Sequence, residues 1–301
     1  MKTILITGSN GLLGQKITER LLESRQFNWV ATSRGANRYP TTTGYVYAEM
    51  DILDPAAIRR VVEAHQPDAI IHTAAMTNVD VSEAQPELAH RLNVDAVRTL
   101  TEIATEHNIQ LIHLSTDFIF DGAEGPYDEL AAPNPLSYYG KTKLEAEEVI
   151  KNSTCKWAIL RTILVYGISH DMSRSNIVLW AKASLENGKS IQVVNDQWRT
   201  PTLAEDLADC CLLAVEHDAR GVYNASGKDF MSVAELVYSV ADFWQLDKSL
   251  VTELSSASLN QDARRPVRTG FILDKAIEEL GYQPHSFEAG LKLLDQQIKR
   301  R

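Results

Sequence analysis

An α/β fold built on a doubly wound parallel sheet is what this sequence predicts, and three observations carry the prediction. The chain opens with a short β-branched apolar run, Lys2 to Thr7, followed at once by Gly8-Ser9-Asn10-Gly11-Leu12-Leu13-Gly14 and then by Leu13, Ile17, Leu21 and Leu22 at helical spacing. That reads as strand, glycine turn and helix. Strand-like and helix-like segments then alternate over about the first 165 residues, the pattern of a parallel sheet with crossover helices. After residue 166 the rhythm breaks, which predicts a smaller second lobe.

On these grounds residues 1–165 form a Rossmann-type dinucleotide-binding domain, with 203–226 returning to its sheet. Residues 166–202 and 227–301 form a substrate-binding lobe. The glycine spacing is G-x-x-G-x-x-G. Such glycines permit a tight turn and let a pyrophosphate approach the N-terminus of the next helix, where amides and dipole favour an anion. Gly8, Asn10, Gly11, Leu12 and Gly14 are therefore expected at the cofactor. Trp29 to Ser33 is the second strand. Many NAD-binding folds carry an acid at its end for the ribose 2′-hydroxyl; here Ser33-Arg34 stands there, with Arg38 nearby. A hydroxyl and a guanidinium suit a 2′-phosphate, so NADP(H) is favoured over NAD(H). The alternative is a solvated loop arginine.

Tyr45 to Met50 is the third strand, and Asp51-Ile52 at its end flank the adenine. Asp54-Pro55 starts a helix to about His65, aspartate as N-cap and proline first. Pro67 to Ala75 is the fourth strand; the small Ala74 and Ala75 let a dinucleotide lie close. His72 within it reads as a core histidine. Pro86 to about His107 reads as one helix, and Asn93 inside it either faces solvent or binds water or backbone near the site. The fifth strand, Ile109 to Leu114, ends in Ser115-Thr116-Asp117-Phe118. Doubly wound sheets place ligand-binding groups at such strand ends, which sets the Thr116 hydroxyl towards a cofactor's reactive end; a plain turn is the alternative.

A glycine- and proline-rich loop, 121–135, leads to Ser137, the expected cap of the next helix. Tyr139 and Lys143 then stand four residues apart, on one helical face and one turn apart. A fixed ammonium favours the phenolate and lowers the phenol pKa from about 10, which suits proton transfer to a carbonyl or from an alcohol. Tyr138 has Thr142 at the same offset and reads as packing. Trp157 to Val165 is the sixth strand. Later elements are helices at 176–187, 203–216 and 233–244, short strands at 190–195 and 221–225, and a basic cluster of Arg264, Arg265 and Arg268 around Pro266.

Bulk composition narrows the function. A hydrophobic fraction of 44% and a charged fraction of 23% are those of an ordinary globular protein. The net charge of −10 argues against nucleic acid or an anionic membrane as partner. The apolar part of the N-terminus is too short for a signal peptide, and no run approaches a membrane span. Three cysteines, two adjacent, form no disulfide framework, so a cytoplasmic location is expected. No metal-ligand spacing is present.

Gly8, Gly11, Gly14, Asn93, Thr116, Tyr139 and Lys143 together resemble the extended short-chain dehydrogenase/reductase superfamily. Ser115 to Gly122, Tyr139-Gly140-Lys141-Thr142-Lys143, Leu160-Arg161-Thr162, Asp196-Gln197 with Pro201-Thr202, and Arg264-Arg265-Pro266 resemble its dTDP-4-dehydrorhamnose reductase branch. The resemblance implies NADPH-dependent reduction of the 4-keto group of a dTDP-linked 6-deoxy sugar. Tyr139 would be the general acid, Lys143 its partner and the holder of the nicotinamide ribose, and Thr116 a donor to the carbonyl, with Asn93 and Tyr139 also at the cofactor. Asp117 and Phe118 would meet the sugar, and Arg265, with Arg268 or Arg199, the diphosphate. A homodimer is a further expectation. Ile163-Leu164, Arg199-Thr200 and Arg268-Thr269 depart from the branch's pattern in substrate-side segments. Another nucleotide-linked 4-keto sugar, or a non-catalytic NADP-binding partner subunit, therefore stand as alternatives. An NAD-retaining epimerase fits Arg34 poorly.

Overall fold

The computed structural model describes residues 1–171, 175–258 and 263–300. The first half runs β1 (Thr3–Thr7), α1 (Leu12–Ser24), β2 (Asn28–Ser33), β3 (Val46–Glu49), α2 (Pro55–His65), β4 (Ala69–His72), α3 (Val79–Ala84), α4 (Pro86–His90), α5 (Ala96–Glu106), β5 (Gln110–Thr116), α6 (Tyr138–Lys151) and β6 (Lys156–Thr162). The second half runs β7 (Val165–Tyr166), α7 (Ile177–Glu186), β8 (Ile191–Val194), β9 (Trp198–Arg199), β10 (Thr202–Leu203), α8 (Ala204–Glu216), β11 (Gly221–Asn224), β12 (Met231–Ser232), α9 (Val233–Trp244), β13 (Val251–Leu254), α10 (Asp274–Leu280) and α11 (Phe287–Lys299).

Seven parallel strands form the central sheet in the order β11-β6-β5-β4-β1-β2-β3. The chain winds one way from β1 to β3 and the other way from β4, so the strand order reverses between β1 and β4. In such sheets the crevice at the carboxyl ends of the reversing strands takes the ligand. The strands read as continuous apolar runs because both faces are covered. Ile4, Ile6, Ile71 and Ile112 face one core with α1 and α8, while Leu5, Ile70, Leu111 and Ile159 face the other with α2, α5 and α6. A third core joins α7, α9, α11, β8 and β13.

Local signals decide the helix starts. Asp54 accepts from the Ala56 amide with Pro55 at the first position, and Ser137 accepts from the Gly140 amide. Three segments differ from expectation. The helix expected over 86–107 is interrupted by a π turn at Arg91–Asp95, because Asn93 turns inward and bonds the chain opposite. The sixth strand ends at Thr162, since Leu164 takes a left-handed φ of 41° and redirects the chain into β7, which pairs with β10. A short helix, α3, lies where no element was expected.

Candidate active site

The glycine turn is shaped by contact. Gly8 has a φ of +69°, and a Cβ there would lie 2.8 Å from the Ala74 amide nitrogen; at Gly14 it would lie 2.5 Å from the Gly8 carbonyl oxygen. The three-glycine spacing therefore brings β1, α1 and the end of β4 together. Gly11 caps α1 without a side-chain hydrogen bond, and Gly11 and Leu12 line the large cavity above it. A helix N-terminus opened in this way fits a pyrophosphate. Asn10 also lines the cavity, but its amide bridges outward to the β2–β3 loop: Nδ2 donates to the Ala36 carbonyl and Oδ1 accepts from the Arg38 amide, both at 2.9 Å. Ser33 lies at the end of β2 with Arg34 exposed beside it. Asp51 follows β3 and accepts from the Leu53 amide, and Ile52 is buried. Ala74 packs against Gly8, and Ala75 lines the cavity.

The cavity measures about 650 Å³ and runs from the glycine turn to the second lobe, large enough for extended small molecules. Thr116, Asp117, Phe118, Tyr139 and Lys143 line it, as do Arg199 and Arg265. Thr116 caps a short 3₁₀ turn; its Oγ1 accepts from the Phe118 amide at 3.3 Å and bonds Asp117 Oδ1 at 3.1 Å. The buried Tyr139 ring stands edge-on to Phe118 at 5.7 Å. Gly140 permits this approach, because a Cβ there would fall 2.2 Å from the Phe118 carbonyl oxygen.

Lys143 is buried and donates to the Leu114 carbonyl at 2.6 Å, with His113 Nε2 at 3.1 Å. Burial pulls its pKa down to about 8, against the opposing charge of Glu147. One turn further along α6, Glu147 is fully buried. It accepts from Ser115 Oγ at 2.6 Å and from Arg161 Nε and Nη2 at 3.0 and 2.7 Å. Burial works against its charge, but Arg161, Ser115 and Lys151 outweigh burial and hold the pKa below the ordinary carboxylate value. This pair fastens α6 to β5 and β6. Sequence named Arg161 only within the Leu160-Arg161-Thr162 motif and did not single out Glu147, although Glu147 follows Lys143 at the four-residue helical spacing.

Asn93 is buried rather than solvent-facing. Its Oδ1 accepts from the Met76 amide at 2.9 Å, and its Nδ2 donates to the Met76 carbonyl and to Thr142 Oγ1, each at 3.1 Å. It braces the β4 exit against α6 and does not line the cavity. His72 is a core histidine, 2.7 Å from Thr7 Oγ1, and burial pushes its pKa down to about 3.

The substrate-side cations are already engaged. Arg199 donates to the carbonyls of Trp198, Val267 and Pro266 at 2.8, 3.2 and 2.8 Å, and its Nε lies 3.5 Å from Asp117. Asp117 also accepts from Thr269, yet burial still drives its pKa up. Arg265 pairs with Asp80 on α3 at 2.7 Å and is partly exposed. Arg268 lies over the Trp198 and Phe230 rings, outside the cavity lining. Among the described residues no acidic, histidine or cysteine group could hold a metal ion, and no helix is long and apolar enough to cross a membrane.

A glycine-turn sheet with threonine, tyrosine and lysine meeting beside the strand reversal is the arrangement of the extended short-chain dehydrogenases/reductases. Within that class, the chain belongs to the family described as RmlD substrate binding domain, which it matches over residues 1–299. It is 32% identical over 298 residues to methionine adenosyltransferase 2 subunit beta of Bos taurus, covering 97% of this chain and 86% of that protein. To a dTDP-4-dehydrorhamnose reductase of Aggregatibacter actinomycetemcomitans it is 28% identical over 304 residues, covering 97% and 98%. The crystal structure of dTDP-4-dehydrorhamnose reductase from Bacillus anthracis in complex with NADP superposes with a TM-score of 0.84 at 26% identity, covering 98% of this chain and 99% of that one.

Proposed function

We propose that the protein is an NADPH-dependent reductase of the 4-keto group of a nucleotide-linked 6-deoxy sugar, with dTDP-4-dehydro-L-rhamnose to dTDP-L-rhamnose as the reaction. The observation that carries the reading is that Thr116, Tyr139 and Lys143 line one cavity together with Asn10, Gly11 and Leu12 of the glycine turn. The bound cofactor would supply a hydride to the ketone carbon. Tyr139 gives its proton to the carbonyl oxygen, balancing the charge the hydride brings. Lys143 stabilises the resulting phenolate. Thr116 turns its hydroxyl from Asp117 to the same oxygen and orients it. Gly8, Gly11, Leu12 and Gly14 would hold the pyrophosphate, Ser33 and Arg34 the 2′-phosphate, and Asp51, Ile52, Ala74 and Ala75 the adenosine half. Arg265 is the cation that could meet the diphosphate by leaving Asp80. The similarity to an NADP-bound reductase supports the cofactor.

A second reading rests on the relatives named as a subunit of methionine adenosyltransferase: an NADP-binding partner protein without turnover. Initial rates with NADPH on a panel of nucleotide-linked 4-keto sugars test the first. Turnover of one panel member supports it; no turnover on any, with NADPH bound and a methionine adenosyltransferase catalytic subunit co-purifying, supports the second.

A further inference from the structure

We infer that His113 is a positioning residue for the Tyr139–Lys143 pair, its neutral imidazole holding the Lys143 ammonium as a hydrogen-bond acceptor. The inference rests on the reading of that pair as the proton-donating group. The placement follows from two periodicities. Alternate residues of β5 share a face, so Leu111, His113 and Ser115 point together; Leu111 lies in the core shared with α5 and α6. On α6, Lys143 and Glu147 lie one turn apart. The two pairs, Ser115 with Glu147 and His113 with Lys143, therefore form side by side.

An ammonium has three N–H groups and no lone pair. At 3.1 Å from Lys143 Nζ, His113 Nε2 must accept, which puts the imidazole hydrogen on Nδ1. That Nδ1 is buried and has no hydrogen-bond partner among the described residues. Buried polar groups are almost always partnered, so an orphan here calls for a reason. Everything else facing the ring keeps it neutral. His72, its register partner on β4, stacks on it at 5.5 Å, and burial, Lys143 and His72 all depress the His113 pKa. Glu147 acts on Lys143 from its own helix and the Leu114 carbonyl binds it from β5, while Asn93 is engaged with Met76 and Thr142.

The test is an NMR titration of Lys143 in protein labelled with [ε-¹³C]lysine, the signal assigned through Lys143→Met. His113→Gln keeps an acceptor near the Nε2 position; His113→Met fills the space without a strong one. The expected midpoint is unchanged in His113→Gln and lower by about one pH unit in His113→Met, a tenfold shift in the ionisation equilibrium. A midpoint in His113→Met equal to that of the wild type, or equal displacement in both variants, overturns the inference. The readout needs no turnover: an acceptor-dependent midpoint in a protein that reduces no keto sugar would uphold His113 as the holder of Lys143 while removing the reductase reading.

Discussion

The two ends of the cavity are held by contacts of different kinds. At the cofactor end the elements are rigid and contiguous: a turn whose Gly8 and Gly14 admit no side chain, and one helix that carries Tyr139, Lys143 and Glu147 on its buried face. Across from it, the second lobe presents cations whose guanidinium groups are bound elsewhere, Arg199 to the 266–267 carbonyls and Arg265 to Asp80. The first end is fixed by packing; at the second, either guanidinium would have to exchange partners before it met a ligand. On the proposed reductase reading, redox chemistry and sugar choice would lie in separate parts of the molecule.

Substitutions can break that division, and the largest effect is expected at Tyr139. Tyr139→Phe should cut keto-sugar reduction by about 10²–10⁴-fold, the usual worth of a general acid, with NADPH affinity by fluorescence titration nearly unchanged. Parallel loss of both would mean that the tyrosine serves binding. In stability, Glu147→Ala should cost about 3–5 kcal/mol in urea unfolding, because it leaves Arg161 charged and buried. Asp80→Ala breaks a partly exposed pair and should cost less than about 1 kcal/mol. Similar costs would erase the contrast between the two ends.

Arg34→Ala is expected to weaken NADPH roughly tenfold, the loss of one charge-assisted contact, and to leave NADH alone; equal losses would argue against the 2′-phosphate. The smallest effects come with pH. Lys143 in the free protein keeps its charge below about 8 and loses it as pH rises through that value, so the reduction rate should fall on the alkaline side. His72 bears on stability instead: its folded pKa of about 3 lies below the ordinary 6.5, so the unfolded chain takes up the proton first. Its stabilising contribution is full above pH 6.5 and drains as pH falls towards 3, which thermal melts across that range would follow.

Much of the cofactor end was legible in the sequence because its signals are local. The glycine turn, the Asp54 and Ser137 caps and the Tyr139–Lys143 spacing each fit within a few residues. The π turn was not legible: apolar spacing at Leu92 and Val97 runs through Arg91–Asp95 without a break, and only the inward bonds of Asn93 reveal it. The second lobe was less readable still. Asp80 and Arg265 meet across 185 positions, and Arg199 reaches carbonyls 67 and 68 residues away. No periodicity encodes such pairs; they follow from how the lobe folds over the sheet. Sequence put Arg265 first for the diphosphate, with Arg268 or Arg199 beside it; Arg199 proves to be deeply buried and bound to backbone, and Arg268 lies outside the cavity lining, which supports Arg265 for the proposed role.

The most direct test of the central claim is NADPH oxidation by the purified protein with enzymatically made dTDP-4-keto-6-deoxy-L-hexulose, the product analysed by mass spectrometry. Oxidation of one NADPH per sugar, with a product two hydrogens heavier, is the predicted result. NADPH that binds but is not consumed, with the sugar recovered unchanged, would contradict it.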